Sequence, residues 1–170
     1  MIPEIKKILY ATDLSKNSAY AFFYAVNMAK RYDARIVILH SVEPGHSLSY
    51  AGSMVEGLME SAKREEREND LEEIKKGLGE FCKKMEPQVG HPCVELVAKI
   101  LVPPGHPVEE ILKVADEESC DVIVLGTHGK GFLRQTFLGS VASSILQRTR
   151  KPVFIIPSPS EKTNVDWDKI

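Results

Sequence analysis

The chain has 170 residues, 43% of them hydrophobic and 27% charged, which predicts one globular domain with a substantial buried core. Its net charge of −2 gives no general attraction for nucleic acid, and no apolar run approaches the about 18 residues that a membrane span needs. No signal-peptide pattern precedes the acidic Asp13, so we expect a cytoplasmic protein with no nucleic-acid or membrane partner.

Five short strand-like runs alternate with helical patterns along the chain. The runs cover residues 7–11, 35–41, 94–102, 122–126 and 152–156. All except the third are almost continuously apolar, as expected of strands that helices cover on both faces. This alternation predicts an α/β fold, a single doubly wound sheet of five parallel strands in the order 3-2-1-4-5 with helices on both faces.

Helix signals lie between these runs. Ser15 or Asn17 can cap a first helix that continues to about Tyr32. A later helix has Pro107 in its first turn, a position that tolerates proline because the missing N–H would be unpaired there. The last helix is predicted over residues 140–149.

The longest connection between strands spans residues 43–92. It begins like a loop and continues as a long helix over about residues 55–85. The charged run at 63–70 has no apolar residue, so we expect it to be solvated. Gly77 and Gly79 each cost about 1 kcal/mol relative to alanine in a helix, which favours a kink or a break there.

We assign residues 1–157 to one domain and residues 158–170 to a polar C-terminal tail. The three cysteines, Cys82, Cys93 and Cys120, are odd in number and lack the CxxC spacing of metal sites. We therefore expect reduced structural thiols and no metal held by cysteine.

A glycine-rich stretch follows the fourth strand. Gly126 and Gly129 remove side chains, so that backbone N–H groups can approach an anion, and Gly139-Ser140 opens a helix whose N-terminus favours negative charge. Asp13 follows the first strand, at the position where strand order reverses, and can accept from ribose hydroxyls. The alternative is a loop that needs glycine to turn, with Ser140 only capping its helix.

The spacing Gly126-x2-Gly129-x9-Gly139-Ser140 resembles the nucleotide-binding signature of the ATP-binding branch of the universal stress protein family. Four further segments resemble that family, and the likeness covers about residues 3–157. They are the strand and Asp13 that open the chain, the turn Gly105-His106-Pro107, the fourth strand at 121–129 and the closing strand at 151–157. The resemblance implies an adenine nucleotide alpha hydrolase-like fold.

The resemblance also implies roles for single residues. Ala11 and Asp13 would border the adenine and the ribose, and Val42 would contact the adenine with Ser41 beside it. The ribose and the phosphates would be bound by seven others, namely Gly126, His128, Gly129, Gly139, Ser140, Val141 and Ser143.

ATP is the implied ligand, with Mg²⁺ or Mn²⁺ able to bind through the phosphates, because these ions are commonly held by phosphate oxygens and water. The last strand, at 152–156, would be an exposed apolar edge of the sheet that can pair with a second strand. The resemblance to the family implies a homodimer through that strand. We therefore expect a homodimer that also has a protein partner.

No catalytic constellation stands out, so the sequence favours a nucleotide-dependent switch or adaptor of the stress response that is at most a slow ATPase. One alternative is a nucleotide enzyme. Another is a protein-interaction module that binds no nucleotide and docks partners through the helix at 55–85. His40, in an apolar strand, is interpreted as a core histidine with satisfied nitrogens.

Overall fold

The computed structural model describes residues 2–43, 53–89, 93–127 and 138–159. The five strands are β1 (Lys7–Ala11), β2 (Arg35–Leu39), β3 (Val97–Leu101), β4 (Val122–Gly126) and β5 (Val153–Ile156). The four α-helices of the described chain are α1 (Lys16–Tyr32), α2 (Ser53–Val89), α3 (Pro107–Glu117) and α4 (Ser140–Arg148). None of these helices combines the length and the apolar character that crossing a membrane requires.

The strands form one parallel sheet in the order β3-β2-β1-β4-β5, which confirms the predicted fold class. The order reverses between β1 and β4, which pair directly through Ile8 and Val122. Because all strands are parallel, their carboxyl ends meet at one edge of the sheet. The switch point between β1 and β4 therefore opens a crevice at that edge.

Alternating side chains of the strands build two hydrophobic layers. Ile8, Tyr10 and Ile38 belong to the layer that α1 and α2 cover. Leu9 and Ile123 belong to the opposite layer, which α3 and α4 cover. Period-two alternation of fully buried residues explains why these strands are apolar at nearly every position.

Local signals set the ends of α1. Ser15 is its N-cap, and the Ser15 hydroxyl accepts from the backbone N–H of Ser18 at 3.2 Å. Asp33 ends the helix in the left-handed conformation with φ of 52°, and its N–H donates to the carbonyl of Ala29. Of the two predicted caps, the structure thus selects Ser15 over Asn17.

The long helix α2 continues through Gly77 and Gly79, so the chain has no break in the helix there. The charged run at 63–70 is mostly exposed, but it is not solvated throughout. The Arg67 side chain donates to the carbonyl of Val102 at 3.0 Å, and Asp70 contacts His40. These two contacts dock α2 beside the carboxyl ends of β2 and β3.

The third strand begins later than the predicted residue 94. Residues Cys93–Leu96 form a 3₁₀ turn, and the Arg35 guanidinium donates to the carbonyl of Glu95 in that turn. The other strand boundaries differ from the predicted ones by about two residues or fewer. Strand β2 ends at Leu39, and the chain then makes an isolated bridge from Val42 to Pro104.

The expectation of reduced cysteines is wrong for two of the three residues. Cys82 of α2 and Cys93 of the 3₁₀ turn form a disulfide, with their Cα atoms 5.1 Å apart. Both residues are buried in the layer under α1 and α2. Cys120 is a buried free thiol, and burial raises its pKa to about 11.

Tyr10 is a polar group in the core and predicts a pH dependence of stability. Its hydroxyl donates to the carbonyl of Ser18 at 2.7 Å, and burial raises the pKa of Tyr10 to about 12 from its usual 10. The unfolded chain releases this proton near pH 10 and the folded chain keeps it. The stabilisation is therefore complete below pH 10 and is lost as the pH rises through 12.

As the pH rises from 10 to 12, we expect the ionisation of Tyr10 to lower the free energy of unfolding by roughly 2 to 3 kcal/mol. The measurement is urea denaturation across that range for the wild type and Tyr10→Phe, since other alkaline titrations cancel in the difference. Tyr32→Phe, at an exposed tyrosine, is the matched control and keeps the wild-type slope. Parallel pH profiles for wild type and Tyr10→Phe would contradict the prediction.

Candidate functional site

A cavity of about 890 Å³ lies at the carboxyl edge of the sheet, over the switch point between β1 and β4. We call it the edge cavity. Its volume falls within the range of small-molecule sites. Nine of the eleven predicted site residues line it, namely Ala11, Asp13, Ser41, Val42, Gly126, Gly139, Ser140, Val141 and Ser143. The other two, His128 and Gly129, lie outside the described residues.

The turn after β1 presents Asp13 at the cavity. Asp13 Oδ1 accepts from the backbone N–H of Ser15 at 3.1 Å and from the Ser15 hydroxyl at 2.6 Å. The turn includes Leu14 with φ of 64°, a left-handed conformation that costs a residue with a Cβ roughly 1–2 kcal/mol. Thr12 Oγ1 supports it by accepting from the Leu14 N–H at 3.0 Å. The carboxylate is therefore held by a strained, locally hydrogen-bonded turn.

The start of α4 forms the opposite part of the cavity. Gly139 is the N-cap, with φ of −66° and ψ of 161° and no side-chain cap, and its N–H donates to the carbonyl of Thr127 at 2.7 Å. Ser140 is the first helical residue, so the interpretation of Ser140 as a simple cap is wrong. The first-turn N–H groups have no acceptor inside the helix. Together with the helix dipole they favour an anion.

Thr127 is a site residue that the sequence analysis did not select. Its backbone joins the end of β5 to the start of α4, because its N–H donates to the carbonyl of Ile156 and its carbonyl accepts from the N–H of Gly139. Its Oγ1 is buried and has no hydrogen-bond partner in the described part of the chain. A buried hydroxyl without a partner costs roughly 1–3 kcal/mol, which a ligand oxygen or amine would offset.

The segment after β2 forms the third part. The backbone N–H of Val42 donates to Pro103 at 3.0 Å, and its carbonyl accepts from Gly105 at 2.9 Å. These two bonds fix the backbone of Val42 beside the turn that follows β3. A base in the cavity would therefore meet the mostly buried Val42 side chain or the second lone pair of its carbonyl, with Ser41 alongside.

His40 lies at the floor of this part and is satisfied, as the sequence interpretation holds. Nδ1 contacts the carbonyl of Thr12 at 2.9 Å, and Nε2 contacts Asp70 Oδ2 at 3.2 Å. Both ring nitrogens therefore lie within hydrogen-bond distance of an oxygen atom. The pair ties α2 to the turn that carries Asp13.

The charges that line the edge cavity are unevenly distributed. Glu43, Glu66 and Asp70 lie at the β2 and α2 side, Asp13 lies in the centre, and the α4 side has no acid among the lining residues. The described lining holds no lysine or arginine. An anionic group therefore fits at α4, and groups that donate hydrogen bonds fit at the acidic side.

Glu66 and Asp70 could not be selected from sequence, because a charged run on a helix reads as a solvated face. No cluster of three or more His, Cys, Asp or Glu with metal-site geometry occurs in the described ranges. A divalent ion would therefore depend on ligand oxygens and water.

Comparison with known proteins places the chain among characterised relatives. The model of the universal stress protein family matches residues 4–157. The universal stress protein MJ0577 of Methanocaldococcus jannaschii is 32% identical over 165 residues, covering 89% of this chain and 94% of the relative. Its solved structure superposes with a TM-score of 0.68 at 28% identity, covering 94% of this chain and 100% of that one.

Two further solved structures share the fold. Universal stress protein UspA from Lactobacillus plantarum has a TM-score of 0.71 at 20% identity and covers 91% of this chain and 99% of its own. A universal stress protein in complex with cAMP has a TM-score of 0.54 at 20% identity, covering 92% and 100%. These neighbours share the adenine nucleotide alpha hydrolase-like fold that was expected.

Proposed function

Because the chain belongs to the universal stress protein family, we propose that it binds ATP in the edge cavity and acts as a nucleotide-dependent switch or adaptor of the stress response. The observation that carries the proposal is the polarity of that cavity. An uncapped helix N-terminus lies at one side and carboxylates lie at the other, around an unpartnered buried hydroxyl. A nucleotide has the same polarity, with an anionic chain at one end and amino and hydroxyl donors at the other.

In the proposed orientation the phosphates lie at Gly139, Ser140, Val141 and Ser143, where first-turn N–H groups and serine hydroxyls can donate. The ribose lies between Asp13 and Gly126, and the Thr127 hydroxyl is available to it. The base lies against Val42, Ser41 and Ala11. Residues His128 and Gly129 are assigned to the ribose and phosphates on the family signature alone.

Two observations favour an adenine nucleotide over other anions. The acidic side can accept from an exocyclic amino group. A protein of the same fold is known in complex with cAMP, which carries the same base. Mg²⁺ or Mn²⁺ would bind through the phosphates, so ATP affinity should be compared with and without a chelator.

The test begins with nucleotide that copurifies. Freshly purified protein is denatured, and any released nucleotide is identified by chromatography and mass spectrometry. The stripped protein is then titrated with ATP, GTP and cAMP by calorimetry, with Mg²⁺ present. Saturable ATP binding at one site supports the proposal. A folded protein that releases no nucleotide and gives no heat overturns it and favours a protein-interaction module built on α2.

Switching would follow from the position of α2. Glu66 and Asp70 bring this helix to the edge cavity, so a bound nucleotide would contact an element whose remaining face is exposed and charged. We propose slow turnover at most, because no catalytic constellation stands out in the sequence. A protein partner would then respond to whether nucleotide is bound, and not to its hydrolysis.

The cytoplasmic location stays a prediction, and the disulfide bears on it. Disulfides such as Cys82–Cys93 are uncommon in cytoplasmic proteins outside heat-adapted organisms. Alkylation of thiols immediately at cell lysis, followed by mass spectrometry, reports whether the bond exists in the native compartment. Free Cys82 and Cys93 thiols would show that the bond forms only after isolation.

We also propose a homodimer through the edge strand β5. This strand pairs only with β4 within the described chain, and Phe154 in it is 47% exposed. An exposed apolar edge is a template for a second strand. Phe154→Glu should raise the dimer dissociation constant about thirtyfold or more, as loss of a central interface residue does. Light scattering over a dilution series measures it.

The control for this variant is Tyr32→Glu, which places the same charge at an aromatic residue of equal exposure at the end of α1. It should leave the dimer intact. If both variants have the wild-type mass at every concentration, the interface does not lie at β5.

A further inference from the structure

A second cavity, of about 320 Å³, lies between α1, α2 and the carboxyl ends of β1 and β2. We call it the helix cavity. It is lined mainly by aromatic and aliphatic side chains, and only Thr12 lines both it and the edge cavity. The proposed nucleotide does not need it. It is large enough for a small ligand.

The inner wall of the helix cavity is apolar and includes a cluster of aromatic rings. Phe22 of α1 lies between two other rings, with centroids 5.0 Å from Tyr10 and 4.9 Å from Phe81. Ile74 and Leu78 of α2 are buried beside them. The hydroxyl of Tyr10 is already engaged by Ser18, so this wall offers a ligand apolar contact and aromatic faces.

The outer rim is formed by one face of α2. Glu73, Gly77 and Glu80 follow one another at i, i+4 and i+7, so they share that face. Seven residues separate Glu73 from Glu80, which is a rise of roughly 10.5 Å along the helix axis. Neither makes a hydrogen bond or ion pair with another residue in the described ranges, and no lysine or arginine is among the residues that line the cavity.

Packing does not explain why glycine stands at position 77, between the two carboxylates. A Cβ built on Gly77 meets no atom within 4 Å, yet glycine in a helix costs about 1 kcal/mol relative to alanine. Its effect is to leave the cavity open to solvent midway between Glu73 and Glu80. The mouth therefore has a carboxylate at each end and backbone alone in the middle.

We propose that the helix cavity binds a linear aliphatic diamine or polyamine. One ammonium group lies at Glu73 and the other at Glu80, and the methylene chain crosses Gly77 to pack on Phe81, Phe22 and Leu78. The apolar wall supplies most of the affinity, since each buried methylene is worth about a fourfold gain. The carboxylates select positive charge at both ends, and the aromatic faces favour the same sign.

The test is a calorimetric titration of the full chain without nucleotide. The probes are diaminobutane, diaminohexane and diaminooctane, with hexylamine and hexanedioate as comparisons. We expect affinity to rise with chain length up to the span between the carboxylates, to be several-fold lower for hexylamine, and to be undetectable for hexanedioate. Binding that ignores length, or that is equal for hexylamine and diaminohexane, overturns the proposal.

Two matched pairs of variants locate the site. Gly77→Leu fills the mouth and should lower diaminohexane affinity by more than tenfold, whereas Gly79→Leu makes the same change two residues away, outside the cavity lining. Each of Glu73→Gln and Glu80→Gln should lower affinity about threefold, as expected for an exposed ion pair. Glu65→Gln is their control, because Glu65 lines neither cavity.

Gly77→Leu removes a helix glycine and should fold at least as stably as the wild type, which thermal melting checks. Diamine affinity that is the same in Gly77→Leu and Gly79→Leu overturns the assignment. The proposal does not depend on nucleotide binding. ATP affinity measured on the same variants should be retained, which separates failure at one cavity from failure at the other.

Discussion

Gly139→Asp is expected to abolish ATP binding without harming the fold. The change places a carboxylate at the helix terminus where the phosphates are proposed to lie. At a separation of about 4 Å, one like-charge pair near a protein surface costs roughly 4 kcal/mol. We therefore expect ATP affinity to fall at least about a hundredfold, measured by calorimetry on stripped protein.

The fold should tolerate this change for a definite reason. Gly139 is the N-cap of α4, and its φ of −66° and ψ of 161° suit any residue. Aspartate is a better N-cap than glycine, so the melting temperature should be unchanged or slightly higher. The control is Gly139→Asn, which has the same shape and a similar capping preference without the charge. Equal affinity losses in the two variants would contradict an electrostatic cause.

The second large effect is expected at the Cys82–Cys93 disulfide. A bond that closes a loop of this length, with a sequence separation of 11, restricts the unfolded chain and should contribute about 3 kcal/mol to the free energy of unfolding. The measurement is urea denaturation of the wild type with and without dithiothreitol. Reduction should lower the midpoint, and Cys82→Ala/Cys93→Ala should resemble the reduced protein and ignore the reductant.

Cys120→Ala provides the matched control, because Cys120 is the buried thiol outside the bond. It should keep the full response to reductant, whatever its own effect on stability. A wild-type midpoint that is the same under oxidising and reducing conditions would show that the bond does not stabilise the fold.

The sheet could be predicted because its strands are covered on both faces. Runs such as those of β1 and β4 are apolar at almost every position, and that pattern over a few residues is typical of buried parallel strands. Gly126 and Gly139 could be placed at one candidate site, because strand ends and helix starts meet at the switch point, and both residues line the edge cavity. Both inferences use short stretches whose meaning does not depend on distant parts of the chain.

The part of the site on α2 and the disulfide could not be predicted, because both depend on where this helix packs against the sheet. Asp70 and Glu66 reach the edge cavity only because Arg67 and the disulfide dock α2 along β2 and β3, and no local pattern encodes that path. The same holds for the pairing of Cys82 with Cys93. The start of β3 was misplaced because Val94 in the 3₁₀ turn has strand propensity, which tertiary contacts override.

The position of α2 has a thermodynamic consequence. The same helix lines the edge cavity through Asp70 and the helix cavity through Glu73, only one turn apart. Any factor by which a diamine changes ATP affinity must equal the factor by which ATP changes diamine affinity, because the two routes to the doubly occupied protein have the same total free energy. Binding at either cavity would thus change the affinity of the other cavity through α2. The size of the shared factor measures the strength of this coupling.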